Sequence, residues 1–225
     1  MQEFAFHPRA WRAQCALSPA AFRVRAAART LICKREQQRV LGFDEKYLRD
    51  DAVRASRRNE EQAMSAGAFD TRTFRNALGC FATGVCVVTT RRPDGKREGL
   101  TVNSFSSVSL KPPLILWSLS RHAKCAPAFR DAKYFAVNVL AADQRELSVR
   151  FARSEDDKYA GIEDLVSEGI GRVPLLKGVV ARFECRNQFQ NYGGDHVVLI
   201  GLVERFEHWS RPPLLYYRGR YHALD

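Results

Sequence analysis

The apolar and polar positions after residue 70 fall into short runs that predict a chain built mainly of β-strands. Six segments are apolar, β-branched or aromatic enough to form strands. They are residues 85–90, 114–119, 134–140, 179–190, 196–207 and 213–221. The second is apolar at nearly every position, so we expect it to be a buried strand.

Three short helices are predicted between these strands. Asp70 or Thr71 can cap the first, and Gly84 is placed to end it. Its apolar face consists of Phe74, Leu78 and Phe81. A second helix opens after residue 124, and Asp143 is placed to cap a third over 144–151. Residues 154–168 are acidic and mixed, which predicts a surface excursion over a site.

Turn signals join several of the strands as hairpins. Pro93, Asp94 and Gly95 form one tight turn, and residues 191–195 accept the positive φ angles of another. Hairpins at short intervals are typical of a closed antiparallel barrel with peripheral helices, not of alternating βαβ units. No G-x-G-x-x-G follows a strand, so a Rossmann site is not expected.

Composition narrows the class of protein. With 225 residues and 45% apolar content, the chain can bury one good core. The formal charge is +11, but no run of four lysines and arginines occurs, so we expect no nucleic-acid partner. A basic surface equally suits anionic small molecules, which it would steer toward a binding site.

The six cysteines and the apolar runs bear on localisation. The cysteines include no C-x-x-C pair and lie in apolar contexts, so they indicate free thiols in a reducing cytoplasm. No apolar run approaches the roughly 20 residues that span a bilayer, and the N-terminus lacks a secretory apolar core. We therefore expect a cytoplasmic protein with no membrane partner.

Residues 1–63 differ in composition from the rest of the chain. They are basic and lack strand alternation, and Met64 directly precedes the first well-patterned helix. Three interpretations are open: a disordered arm, an Arg-rich targeting segment, or translated sequence upstream of a native start at Met64. We predict a 64–225 domain that does not need this extension.

Three polar clusters adjoin the predicted strands. Residues 99–113 are rich in small hydroxyls and backbone amides that leave room for a flat ligand. Residues 120–125 lead from a strand into a helix, with Arg121 and Lys124 as candidate partners for an anion. Gly194, Asp195 and His196 form a polar corner. Each has a plain structural alternative as a turn.

Four ordered motifs nevertheless resemble the flavin reductase-like family. They are T-x-x-S-F-x-S-V-S-x-x-P-P-L at 101–114, the S-x-x-x-K-C stretch at 120–125, F-A-V-N-V-L at 135–140 and G-D-H at 194–196. The resemblance implies an FMN-binding split β-barrel, usually a homodimer. It implies an NAD(P)H:flavin oxidoreductase that transfers a hydride from NADH or NADPH to FMN or FAD. Members often supply reduced flavin to a separate monooxygenase.

The resemblance also implies a set of site residues. His196 is the catalytic candidate because it contacts the incoming nicotinamide, with Asp195 orienting its ring. The predicted cofactor-binding residues are Thr101, Val102, Asn103, Ser104, Phe105, Ser106, Ser107, Val108, Ser109, Ser120, Arg121, Lys124, Cys125, Phe151, Gly194, Asp195 and His196.

Other chemistries lack their motifs in this chain. There is no G-x-S-x-G or H-E-x-x-H, and the five histidines do not pair at metal-ligand spacing, so no metal is predicted. Hydride transfer to a flavin needs little acid–base machinery from the protein. The alternative function is a non-catalytic flavin-binding or electron-transfer protein of the same barrel.

Overall fold

The computed structural model describes residues 70–155 and 157–224. The predicted extension over 1–63 lies outside them, as do Cys15 and Cys33. The described chain is mainly β, as predicted. Its α-helices are α1 (Thr71–Leu78), α2 (Ala126–Asp131) and α3 (Arg145–Ala152). None of these is long and apolar enough to cross a membrane.

The strands follow the predicted order, with short additions. They are β1 (Thr83–Gly84), β2 (Cys86–Arg91), β3 (Arg97–Val102), β4 (Ser106–Leu110), β5 (Pro113–Ser120), β6 (Tyr134–Val139), β7 (Val166–Glu168), β8 (Pro174–Leu176), β9 (Ala181–Gly193), β10 (His196–His208), β11 (Leu214–Tyr217) and β12 (Arg220–Ala223). Three 3₁₀ turns lie at Ala142–Gln144, Glu163–Leu165 and Ile170–Arg172.

Seven strands form one antiparallel sheet in the order β3-β2-β6-β9-β10-β5-β4. Both predicted hairpins are present, β2 with β3 and β9 with β10. The second turn is tighter than expected because β9 continues to Gly193. Only Gly194 and Asp195 separate the two strands, and Gly194 takes a φ of +59° that favours glycine. Two small sheets, β1-β11-β12 and β7-β8, complete the described fold.

The sheet buries apolar side chains on both faces. The first core cluster includes Val102 of β3 and Trp117 of β5, which come from strands near opposite edges of the sheet. Strands so far apart in order share one cluster only if the sheet curls. The second core cluster lies behind β2 and joins Val87 to Phe151 of α3 and to Tyr159.

The two edges of the curled sheet are β3 and β4, and the described strands contain no ladder between them. Side chains cover the β3 edge instead. Tyr159 donates its hydroxyl to the carbonyl of Glu98 at 2.9 Å, and Lys158 donates to the carbonyl of Gly99 at 2.8 Å. The closed barrel therefore stays a prediction.

Three expectations differ from the structure. Asp70 caps α1 through Arg72 N–H and Thr73 N–H, but the helix ends at Leu78 and its apolar face is exposed. Strand β5 is not buried on both faces; its exposure alternates. The prediction of a surface excursion over 154–168 was wrong for its middle, because Tyr159 and Ile162 are buried in the second core cluster.

Candidate functional site

Pairing of β5 with β10 brings two of the predicted polar segments together. His196 lies opposite Ser120, at the end of β5 where the basic turn begins. The Arg121 N–H donates to the carbonyl of Asp195 at 2.9 Å. The Arg121 guanidinium reaches the carbonyl of Gly194 at 3.4 Å. The 120–125 turn and the G-D-H corner are therefore one surface.

The strand register also brings in the serine-rich segment. Directly opposed residues of an antiparallel pair share a face of the sheet, as do residues two apart on one strand. Ser106 opposes Leu116, and Leu116 shares its face with Ser118 and Ser120. We call this the outer face of β4, β5 and β10. His196 also lies on the outer face, whereas Trp117 lies on the other, buried face of the sheet.

His196 and Asp195 form a side-chain pair on this face. His196 Nδ1 lies 2.7 Å from Asp195 Oδ1, and the imidazole is 44% exposed. The hydrogen bond from His196 lowers the pKa of the Asp195 carboxyl. Because an ionised carboxylate only accepts, the proton lies on Nδ1, and Nε2 is left for a ligand.

Several hydroxyls of the serine-rich segment already hold the backbone. Ser104 Oγ accepts from Ser118 N–H at 2.9 Å and faces the Ser118 carbonyl at 3.2 Å. Thr101 donates to the Ser148 carbonyl at 2.7 Å, and Ser109 accepts from Lys111 N–H. These contacts fix the segment against β5 and α3.

The other predicted residues of this segment divide by burial. Asn103, Ser106, Ser107 and Val108 are exposed and accessible to a ligand. Phe105 stacks on Phe183 with ring centres 5.5 Å apart. Val102 is buried in the first core cluster. The exposed side chains and the backbone amides around them therefore remain as the ligand-binding surface.

Residues 78–225 match the family model described as flavin reductase like domain. The chain belongs to the flavin reductase-like family.

Individual members of this family are similar over most of the described chain. The FMN reductase (NADH) SmoA of Agrobacterium fabrum is 45% identical over 172 residues, which cover 75% of this chain and 95% of SmoA. The reductase component of the flavin-dependent trigonelline monooxygenase of Acinetobacter baylyi is 45% identical over 150 residues. That match covers 67% of this chain and 48% of the relative.

A solved structure shows the same fold. It is the NADH:FAD oxidoreductase SgcE6 of Streptomyces globisporus C-1027, in complex with NAD and FAD fragments. The TM-score is 0.65 at 33% identity, and the match covers 69% of this chain and 93% of SgcE6. The family assignment therefore rests on both sequence and fold.

Two of the predicted cofactor-binding residues, Phe151 and Cys125, are less accessible than the others. Phe151 is 0% exposed, packed edge-to-face against Tyr159 and against Gly99, so it supports β3 from behind the sheet. Cys125 is partly buried, and this burial raises the pKa of its thiol. Lys124 and Arg121 are exposed. Thus the basic turn has two solvent-facing cations beside a shielded thiol.

Two features near the site were missed from the sequence. Tyr192 precedes the G-D-H corner, and Arg121 Cζ lies 5.6 Å from its ring centre. Lys158 follows α3, and its charge acts on Cys125. Tyr192 could have been found from the sequence, because it lies in the turn-like stretch Asn191-Tyr192-Gly193. Lys158 could not have been found in this way, because a lysine in an acidic stretch suggests a solvated side chain.

The F-A-V-N-V-L motif lies away from the outer face. Asn138 is fully buried, and its amide bonds Val87 O, Thr89 Oγ1 and Leu176 N–H. These contacts tie β8 to the central strands. The motif is therefore a structural support in this chain.

Proposed function

We propose that this protein is an NAD(P)H-dependent flavin reductase that reduces FMN or FAD and supplies reduced flavin to a separate monooxygenase. The observation that carries this proposal is the register that gathers Ser106, Ser118, Ser120 and His196 on one half-exposed face. Family membership supports it, and so do the activities of the similar proteins SmoA, an FMN reductase (NADH), and SgcE6, an NADH:FAD oxidoreductase.

The residues of the outer face fit a flavin. A planar ring with a polar edge needs a flat surface and small hydrogen-bonding groups, which Ser106, Ser118 and Ser120 supply on this face. A flavin phosphate needs cations, which the 120–125 turn supplies. When bound, the flavin provides the redox chemistry by accepting a hydride from the reduced nicotinamide.

The protein itself binds and orients the flavin and the nicotinamide dinucleotide. Backbone amides along 106–109 can donate to a ring edge that gains negative charge on reduction. His196 offers Nε2 to the nicotinamide dinucleotide while Asp195 fixes its ring. Because the pair is exposed, the co-substrate can arrive from solvent. We infer binding and orientation as the role of His196, without proton transfer to a reacting carbon.

The outer face also supports a homodimer with a split-barrel fold. Its far end is apolar and half-exposed, with Leu114 opposite Leu202 and Leu116 opposite Ile200. Tyr216 and Tyr221 pack on each other and on the second core cluster. We propose that a second copy covers the apolar end and that the curled sheet is the family's split barrel. Free thiols at all four described cysteines support the cytoplasm as its compartment.

Steady-state oxidation of NADH and NADPH, with and without added FMN or FAD, tests the function. We expect turnover that depends on added flavin and a preference for one dinucleotide. Flavin binding with no oxidation of either dinucleotide would contradict the proposal and favour a non-catalytic flavoprotein. Sedimentation at micromolar concentration tests the dimer, and Leu202→Asp should shift it toward monomer.

A further inference from the structure

Lys158 is a half-buried lysine that the predicted site does not contain. Its ammonium donates to the Gly99 carbonyl at 2.8 Å and to the Phe151 carbonyl at 2.9 Å. An ammonium has three N–H groups. Within residues 70–155 and 157–224, no acceptor takes the third one. The Lys158 ammonium is therefore held in place by two carbonyls, and its third N–H group is left for a ligand.

This cation contacts the first residue of the serine-rich segment over 99–113, because the Gly99 carbonyl accepts its hydrogen bond. Gly99 precedes Leu100, which packs against the first core cluster, as does Cys125 at the end of the 120–125 turn. The Lys158 charge opposes the effect of burial on the pKa of the Cys125 thiol. Burial in turn lowers the pKa of Lys158 itself. Both effects agree with a close, partly desolvated lysine.

The two cations predicted for the phosphate are placed less favourably. Arg121 reaches the carbonyl of Gly194 and the ring of Tyr192, so it belongs to the hairpin corner. Lys124 is exposed, and solvent and salt screen an exposed charge. A half-buried ammonium held by two carbonyls interacts more strongly with an anion and needs less ordering when it binds one.

We propose that Lys158 is a further binding residue of the flavin site, where its third N–H and its charge bind the phosphate of FMN or the phosphate nearest the ribityl chain of FAD. This inference rests on the proposed flavin site. A purely structural role is the competing explanation, since Lys158 also joins β3 to the end of α3. The two roles differ in one respect: only the first depends on a phosphate.

Paired titrations with FMN and riboflavin separate these roles, because the two ligands share the ring and differ in the phosphate. In Lys158→Met we expect the Kd for FMN to rise about ten- to 150-fold, the range for a lost charged hydrogen bond. The Kd for riboflavin should change less than about twofold. Lys158→Arg should retain most of the FMN preference, and Lys177→Met, an exposed lysine, is the matched control.

An equal loss of FMN and riboflavin affinity in Lys158→Met would overturn the proposal and leave a structural clamp. An unchanged FMN preference would overturn it as well. If the wild-type protein bound neither flavin, the proposed function would fail, and the Lys158 inference with it. If the wild type preferred FMN and Lys158→Met kept that preference, the inference about Lys158 alone would be wrong and the proposed function would stand.

A measurement on the wild-type chain covers the case in which Lys158→Met does not fold. Lysines are acetylated without ligand, with riboflavin and with FMN, and mass spectrometry reads each site. We expect FMN to protect Lys158 severalfold more than riboflavin does, while Lys177 stays equally reactive in all three samples. Equal protection of Lys158 by both ligands would overturn the proposal.

Discussion

Replacing Asn138 tests whether the F-A-V-N-V-L motif supports the fold or binds the flavin. The side chain is fully buried, and its amide makes three hydrogen bonds. Nδ2 donates to Val87 O at 3.0 Å and to Thr89 Oγ1 at 3.3 Å, and Oδ1 accepts from Leu176 N–H at 2.9 Å. Asn138→Leu keeps most of the volume and removes all three bonds.

The cost follows from the groups left behind. Val87 O and Leu176 N–H would each lose a partner in a buried setting, at roughly 1–3 kcal/mol apiece. We therefore expect the free energy of unfolding to fall by about 2–6 kcal/mol. For a domain of this size that lowers Tm by roughly 4–24 °C. Flavin affinity and NADH oxidation per folded molecule should stay unchanged.

Thermal unfolding followed by circular dichroism measures the first effect, and kinetics normalised to folded protein measures the second. Thr90→Val is the matched control, because it removes a single bond, from Thr90 Oγ1 to Tyr134 O at 2.8 Å. We expect the control to lose about 1 kcal/mol. A near-normal Tm for Asn138→Leu together with lost flavin binding would refute the structural assignment.

Four further predictions concern His196, the cysteines and the N-terminal extension. His196→Ala should lower kcat/KM for NADH about five- to 150-fold with near-normal flavin binding, and stopped-flow reduction that is unchanged at every NADH concentration would contradict this. The same variant should raise the pKa of Asp195, read by carboxyl NMR, because it removes the hydrogen bond that lowers it. At pH 8 iodoacetamide should label exposed Cys80 and spare Cys86, whose thiol pKa burial raises to about 12. A shortened chain beginning at Met64 should keep its Tm and its activity, and loss of soluble protein would show that the extension is needed.

Strands and hairpins followed from the sequence because their signals are local. Strand β2 and the turn at 93–95 need only neighbouring residues to be recognised, and so does Asp70 at the start of α1. Local pattern does not say what covers an apolar face. Leu78 and Phe81 have helical spacing and yet are 60% and 78% exposed. The periodicity showed which residues share a face of the helix, but not whether another part of the molecule packs against that face.

The acidic segment after α3 could not be predicted for a related reason. Tyr159 and Ile162 are isolated among charges, which is typical of a surface loop. They are buried because Gly99 leaves space behind β3: a Cβ there would lie 2.7 Å from Phe151 and 2.9 Å from the Tyr159 hydroxyl. That fit joins residues far apart in sequence, and the chain gives no local sign of it. The same packing brings Lys158, which precedes Tyr159, to the Gly99 carbonyl.

The outer face shows what register adds to a motif. Along β5 the residues on this face change from Leu114 and Leu116 to Ser118 and Ser120. Along β10 they change from Leu202, Ile200 and Val198 to His196, and the pairing places the polar end of each strand at the same end of the face. A face exposed only to solvent would not be expected to have an apolar end. A face buried only against a second subunit would not be expected to have serines beside a histidine. The aligned gradient therefore favours two occupants, a protein surface at one end and the flavin at the other. Because the two ends are separate, Leu202→Asp should disturb assembly first and His196→Ala hydride transfer first.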